Sequence, residues 1–388
     1  MTTDMTQSDN VEELFFGDLQ ARSYQIGSLK QVEQAFTNGA KRVCLVSPTG
    51  SGKTVNAGII MTSPIIRKLC GVSNETTASG NYKQNLRVMF IAHRDRLLQQ
   101  AVSTYANIFG VELIIQSCFS DIPAHILEEG WDFTILDESH HESMTTIQYQ
   151  LENITSSTKH PLGFIPLLGL TATPDRADGL VIKFDTIITA ITREQAVEQG
   201  FLAKTYIHSF VDATTRDNKV DILSDIFKDY HHIMGRGIVF VSTKAEAREL
   251  TARIVEHTGK MVACVVDVND ATLNDVLNDF SKGEWDFIVN CAKLGEGIDI
   301  RGCDTVVIGR TVGSYPLLNQ YIGRGARPDS DCNVIELVNP LTDNLDTTVV
   351  VGIPENHTLY YKRKGKWVER EFDYTTVMNT SLDANVSF

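Results

Sequence analysis

Short apolar runs punctuate the chain at intervals that leave room for helices between them. Residues 43–47 (VCLVS), 87–93 (RVMFIAH), 111–115 (VELII), 132–136 (DFTIL) and 167–171 (LLGLT) are rich in β-branched and aliphatic side chains. Runs of this kind, without the strict alternation of a half-exposed strand, predict strands buried on both faces. Helix-length segments such as 95–108 separate several of them, and that order of buried strand and helix predicts a parallel sheet with crossover connections. The pattern starts again after about Gly200, with 237–241 (GIVFV), 261–266 (MVACVV), 286–291 (DFIVNC), 304–309 (DTVVIG) and 333–338 (NVIELV). Two α/β domains in tandem are therefore expected. The break falls near 199–205 (QGFLAKT), where a helical run over 192–199 meets Gly200 as its C-terminal cap. Residues 71–85 (GVSNETTASGNYKQN) are polar and turn-rich and read as a mobile surface loop.

Length supports the same division, because 388 residues exceed the usual span of one core. Hydrophobic residues at 42% and charged residues at 22% exclude wholesale disorder. No run is apolar and long enough to span a bilayer, and the start, MTTDMTQSDN, has neither the basic nor the apolar region of a signal peptide. A cytoplasmic location away from any membrane is expected. The seven cysteines, Cys44, Cys70, Cys118, Cys264, Cys291, Cys303 and Cys332, form no CxxC pair, which fits reduced, mostly buried thiols better than disulfides or zinc. A formal net charge of -14 argues against coating nucleic acid nonspecifically, yet leaves a local basic channel open.

Chemistry enters at LVSPTGSGKT, residues 45–54. Pro48, Thr49, Gly50, Ser51 and Gly52 follow a strand and open a helix, the setting in which successive backbone N–H groups cradle phosphates. Lys53 would reach the β and γ phosphates of ATP, and Thr54 would ligate Mg²⁺. The full pattern GxxxxGK[ST] begins with glycine where this chain has Ser47. In ILDESHH, residues 135–141, Asp137 ends an apolar strand where a carboxylate can hold Mg²⁺, and Glu138 can orient or deprotonate an attacking water. His140 and His141 have no third ligand at metal spacing, so polar coupling suits them better than zinc.

Taken together, LVSPTGSGKT, IAHRDRLLQQ, LDESHH, LGLTATPDRADG, GIVFVST, LGEGIDI and QYIGRGARP, in this order, resemble the motif series of superfamily 2 helicases. The resemblance covers about residues 22–339. Within the superfamily it looks like the XPB-like branch, which includes phage UvsW-type motors. The double histidine after DES, the TATPxRxDG signature at 171–179 and the Gly-Arg-Gly-x-Arg-Pro ending carry that likeness. The PTRELA and HRIGRTGR blocks of DEAD-box RNA helicases are absent from the sequence.

The resemblance implies two RecA-like domains, each a mainly parallel sheet flanked by helices, over residues 21–198 and 199–345. A lead of residues 1–20 precedes them, and a tail of residues 346–388 with a basic hairpin follows. It implies ATP held between the domains, with Arg324 and Arg327 as fingers on the γ-phosphate; an arginine finger is worth roughly 10³–10⁵ in rate. Arg22 and Gln25, in RSYQ, match the adenine-reading motif, and Gly297 and Asp299 match the motif that meets nucleotide from the second domain. Thr171 and Thr173 would couple hydrolysis to domain movement. His93, Arg94, Ser242 and Thr243 match positions that lie on strand phosphates, contacts that position a strand without reading its sequence.

The predicted hairpin at 359–371 (LYYKRKGKWVERE) places Lys362, Arg363, Lys364 and Lys366 around Gly365, beside Tyr360, Tyr361 and Trp367. Basic and aromatic residues together suit a strand-separating or strand-tracking element, and Lys364 is the candidate contact. A packed sheet edge with solvated lysines is the alternative. The expected activity is ATP- and Mg²⁺-dependent unwinding or remodelling of DNA by a monomeric motor. A non-unwinding translocase or annealing motor, an RNA helicase, and an ATPase switch are the other readings. With no dedicated recognition domain in view, specificity is left to a protein partner or to a branched substrate. Such economy fits a viral or mobile-element motor in repair or recombination.

Overall fold

The structure, a computed structural model, describes residues 14–16, 19–105, 108–139, 160–172, 183–212, 219–291, 293–294, 298, 300–312, 315–325, 330–339, 356–363 and 365–371. The chain forms two compact units. One comprises Met1–Ser47, Gly52–Pro174 and Val181–Ile191, and the other Pro48–Ser51, Asp175–Leu180 and Thr192–Phe388.

In the first unit a short ribbon, β1 (Phe15–Phe16) with β2 (Leu19–Gln20), precedes the sheet strands β3 (Arg42–Val46), β4 (Leu86–Ala92), β5 (Val111–Ser117), β6 (Phe133–Leu136), β7 (Leu167–Thr171) and β8 (Thr186–Thr189). They pair throughout in parallel, in the order β5-β4-β6-β7-β3-β8. Strands β6 and β7 are buried along their whole length, as their unbroken apolar runs require. One core, which includes Val32, Phe36, Leu45, Ile60, Phe90 and Phe133, gathers the helices Ser23–Thr37, Lys53–Met61 and Asp95–Tyr105. A second cluster around Met89, Ile91, Trp131 and Leu136 serves the other face. Each such side chain contributes roughly 1.5–3 kcal/mol by leaving water.

The second unit contains β9 (Thr205–Val211), β10 (Gly237–Phe240), β11 (Val262–Cys264), β12 (Phe287–Asn290), β13 (Thr305–Ile308), β14 (Cys332–Val338), β15 (His357–Arg363) and β16 (Lys366–Glu371). Their order is β11-β12-β10-β13-β14-β9-β15-β16, parallel except for the β15–β16 hairpin. Two clusters line it, one including Phe240, Phe280 and Tyr321, the other including Phe210, Phe227, Ile254 and Tyr360.

Several expectations shift. Strands β8 and β9 have no counterpart in the apolar reading, because polar and aromatic residues interrupt them; β9 reads TYIHSFV. The helix expected over 95–108 is described as Asp95–Tyr105. The helix before Gly200 is Arg193–Glu198, capped by the Thr192 hydroxyl accepting from Gln195 N–H, with Gly200 at φ 71°. Residues 71–85, read as a mobile loop, are organised around Arg67, whose fully buried guanidinium donates to Asn74 Oδ1 and to the carbonyls of Ser73, Gln84 and Gly110, under the ring of Tyr82. The loop supplies three of the four acceptors that this buried cation needs, which polarity alone does not reveal. All seven cysteines are free, and Cys44, Cys70, Cys118, Cys303 and Cys332 are buried. Among the described residues no helix is long and apolar enough to cross a membrane, and no group of His, Cys, Asp and Glu could hold a metal ion. His140 and His141 lie outside the described residues.

Candidate nucleotide and nucleic-acid sites

The phosphate-binding stretch leaves the end of β3. Ser47 N–H donates to Thr171 O at 2.9 Å, so the turn begins as an extension of the β3–β7 pairing. The loop is then closed by Pro48 O, which accepts from the Ser51 hydroxyl at 2.7 Å and from Ser51 N–H at 3.1 Å. Gly50 at φ 85° and Gly52 at φ 95° take left-handed backbone that a side chain would strain. A Cβ on Gly52 would also stand 3.2 Å from Gln25 Nε2. Helix Lys53–Met61 follows directly, with Lys53 and Thr54 half-buried in its first turn. This open cradle of glycines at a helix start fits a bound phosphate chain.

Tyr105, which sequence reasoning passed over, secures this helix from below. Its hydroxyl donates to Thr54 O at 2.9 Å, and its ring packs against Phe90 at 5.7 Å and Phe16 at 6.2 Å. Burial, with the Asp137 charge nearby, pushes the phenol well above its ordinary range, so it stays a donor. A tyrosine on the buried face of a helix looks like any core aromatic, which is why the sequence held no signal for it.

Asp137 and Glu138 leave the carboxyl end of β6, which β7 separates from β3. Asp137 N–H donates to Ile91 O at 2.9 Å, and Asp137 Oδ1 accepts from Glu138 N–H at 3.0 Å. Glu138 stands at φ 50°, left-handed backbone that costs a non-glycine residue roughly 1–3 kcal/mol. Such an outlier points to a residue whose placement matters beyond packing. Asp137 and Thr54 are of the hard-oxygen type that suits Mg²⁺.

Gln25 is only 3% exposed; its Oε1 accepts from Arg22 N–H at 2.9 Å, and its Nε2 makes a long 3.5 Å contact with Gly52 O. The amide thus lies between the start of its own helix and the phosphate loop. Ser28, one turn on, donates to Gln25 O at 2.9 Å and to Asn56 Oδ1 at 3.1 Å, which binds the two helices below the loop.

In the second unit, Arg324 on helix Tyr315–Gly325 donates to Ile298 O, a carbonyl within the LGEGIDI motif. Arg327, Gly297, Asp299, Thr173 and Lys364 lie outside the described residues. Ser242 and Thr243 follow β10 and are exposed. Thr243 caps helix Lys244–Thr258, its hydroxyl oxygen accepting from Glu246 N–H at 3.1 Å. The Glu246 carboxylate accepts from Ser242 N–H at 2.9 Å and Thr243 N–H at 3.3 Å, so these amides are already engaged. His93 is half-buried at the end of β4, and exposed Arg94 precedes helix Asp95–Tyr105, its carbonyl accepting from Leu97 and Leu98 N–H.

The basic hairpin is a packed edge, not a free appendage of a tail. β15 pairs with β9 in parallel, and Tyr360 stacks on Phe210 at 4.4 Å while Trp367 meets the same ring edge-on at 5.1 Å. Burial, with Glu369 and Tyr230 adding, pushes the Tyr360 phenol up to about 12. Lys362 lies over the Trp367 ring and pairs with Asp225 at 3.4 Å. Tyr360, only 4% exposed and stacked on Phe210, is thus held in the core of the sheet.

Comparison with known proteins agrees with the motif order. The family described as "Type III restriction enzyme, res subunit" matches residues 18–121, and the one described as "Helicase conserved C-terminal domain" matches residues 218–329. The helicase candidate IRC3 of Saccharomyces cerevisiae is 24% identical over 403 residues, covering 92% of this chain and 55% of that protein. The chain thus spans little more than half the length of this relative. A fragment of an HsdR-type subunit of a type I restriction enzyme from Vibrio vulnificus superposes with a TM-score of 0.62 at 21% identity, covering 89% of this chain and 70% of that one. The restriction-modification enzyme LlaBIII bound to DNA also gives 0.62, at 16% identity, covering 86% and 28%. The fold is that of paired RecA-like helicase domains. The chain carries the two domains of a superfamily 2 helicase-type ATPase.

Proposed function

We propose that the chain is an ATP- and Mg²⁺-dependent motor that unwinds or remodels DNA. The observation that carries this reading is that the phosphate loop after β3 and the Asp137–Glu138 pair after β6 leave the carboxyl ends of strands in the same parallel sheet. The loop amides and the Lys53 ammonium hold the β and γ phosphates, while Thr54 and Asp137 are the residues that would hold Mg²⁺. That ion would neutralise charge developing on the phosphate oxygens. Glu138, fixed in left-handed backbone, orients the attacking water and takes its proton. Arg324 and Arg327 keep the finger role that the motif resemblance implies.

DNA is favoured over RNA because relatives of both restriction types match the chain and LlaBIII was seen bound to DNA. The narrower assignment to the XPB-like, UvsW-like branch rests on the TATPDRADG and GRGARP stretches. The test is steady-state ATP turnover without polymer and with single-stranded DNA, duplex DNA, a branched junction or single-stranded RNA, at fixed salt, with Glu138→Gln as control. Stimulation by DNA that the substitution abolishes is expected. Stimulation by RNA alone would move the substrate, and none by any polymer would leave a nucleotide switch. Turnover on duplex without release of a partial duplex would identify a translocase or annealing motor.

A further inference from the structure

Among the described residues, several arginines are given carboxylate or carbonyl partners by the fold. Arg67 has four acceptors, Arg87 pairs with Glu112 and Glu129, Arg253 with Asp221 and Glu249, and Arg248 with Asp267. Arg236 donates to Phe280 O and lies over the Phe280 ring. Arg310 is different. It is half-buried, its Nε is fully buried without a hydrogen-bond partner, and among the described residues no carboxylate pairs with it. With 49 acidic against 35 basic residues in the chain, a counter-charge was readily available to this position.

Its place in the sheet explains what it lacks. Gly309 N–H donates to Phe240 O at 2.8 Å, so Arg310 is the first residue beyond the carboxyl end of β13. Ile308 and Phe240 are register partners, which sets Arg310 level with Ser242 on the neighbouring strand. On the far side of β10, Phe240 pairs with Asn290, and the Cys291 thiol donates to Ser242 O at 3.1 Å. The residues level with Arg310 on the two neighbouring strands, Ser242 after β10 and Val338 at the end of β14, are uncharged. Ligands of open parallel sheets bind beyond the carboxyl ends of the strands. A partly desolvated guanidinium there, without an anion of its own, has electrostatic demand left for one to meet. Its planar fork of donors matches two oxygens of a phosphate.

We infer that Arg310 is a phosphate-binding residue, reserved by the fold for a phosphate group that the exposed Ser242 hydroxyl can also contact. The inference rests on the motor reading, under which two sources supply that chemistry, the backbone of a nucleic-acid strand and the nucleotide.

The experiment compares wild type with Arg310→Ala and Arg310→Lys. Lys282→Ala is the control, because it removes the same charge from an exposed residue that precedes β12, at the opposite end of the sheet. Labelled single-stranded DNA is titrated by fluorescence anisotropy across a salt series without nucleotide, and a fluorescent ATP analogue is titrated without DNA. Arg310→Ala should weaken one of the two affinities by roughly tenfold or more, as expected for a lost charge-assisted bond. If the strand is the source, the slope of log affinity against log salt also falls by about 0.7, and ATP analogue binding is unchanged. If the nucleotide is the source, the pattern reverses. Arg310→Lys should recover the salt slope without the full affinity, since a point charge replaces the fork.

Thermal unfolding supplies the remaining arm. A guanidinium without protein partners can be removed without lowering Tm, whereas a structural arginine cannot. Both affinities matching those of Lys282→Ala, or a loss that accompanies a lowered Tm, would overturn the inference. A wild type that binds no DNA would refute the motor reading instead, and the ATP analogue would then decide the role of Arg310.

Discussion

Replacing Tyr360 by alanine separates a hairpin that tracks nucleic acid from one that completes the core of the second unit. Tyr360 is 4% exposed, stacks on Phe210 at an interplanar angle of 8°, meets Tyr230 edge-on at 5.0 Å and brings its hydroxyl to 3.3 Å from His208 Nδ1. Truncating a large buried aromatic removes its transfer free energy and leaves a cavity, typically about 3–5 kcal/mol in sum. Here the hydroxyl contact is lost as well, and β15 loses its main hydrophobic anchor to β9, so the upper half of that range applies. Urea unfolding followed by the fluorescence of Trp285 and Trp367 reports on the second unit. With a slope of roughly 2–3 kcal/mol per molar for a unit of this size, the midpoint should fall by about 1.3–2.5 M. A midpoint equal to wild type combined with weaker DNA binding would show that Tyr360 serves bases, and the packing argument would fail.

Other perturbations probe the first unit. Glu138→Gln should abolish turnover while fluorescent ATP analogue binding is retained, because the substitution removes the base and not the phosphate cradle; equal loss of binding would contradict the role assigned to Glu138. Tyr105→Phe leaves the Thr54 carbonyl without its donor and should lower stability by about 1 kcal/mol, with KM for ATP raised; unchanged KM would separate Tyr105 from the loop. Arg67→Met removes the donor shared by Asn74 Oδ1 and the carbonyls of Ser73, Gln84 and Gly110, and limited proteolysis should then cleave within 71–85, with wild type resistant under the same conditions.

His160 gives the first unit a dependence on pH. Its Nδ1 accepts from Leu162 N–H at 3.2 Å, so Nε2 carries the proton given to Asp132 O at 3.1 Å, and burial lowers its pKa below 6.5. A folded-state pKa below the unfolded value means that unfolding takes up a proton. Stability is therefore fully present above about pH 6.5 and declines as the pH falls below it. His160→Gln should flatten that decline in denaturant midpoints measured from pH 7.5 to 5.

Local pattern was enough to determine much of this protein. Unbroken apolar runs mark strands buried on both faces whatever surrounds them, so β3, β6, β7, β10, β12 and β13 are legible directly. Glycines at Gly50 and Gly52, followed by Lys53 and Thr54, define a phosphate cradle from backbone geometry alone, and Asp137 with Glu138 needs only the strand before it. Contacts between distant segments decided the rest. The β9 strand, TYIHSFV, is stabilised by β14 on one side and β15 on the other, and its polar residues become intelligible only when Ser209 is seen donating to Glu336 and meeting His357. The aromatic residues of the hairpin look equally suited to bases or to a core until Phe210, far earlier in the chain, is found beneath Tyr360. Arg67 and Arg310 are both arginines in ordinary surroundings of sequence. Tertiary structure gives one a full set of acceptors and leaves the other without a carboxylate among the described residues, because a guanidinium's partners are set by where the chain returns in space.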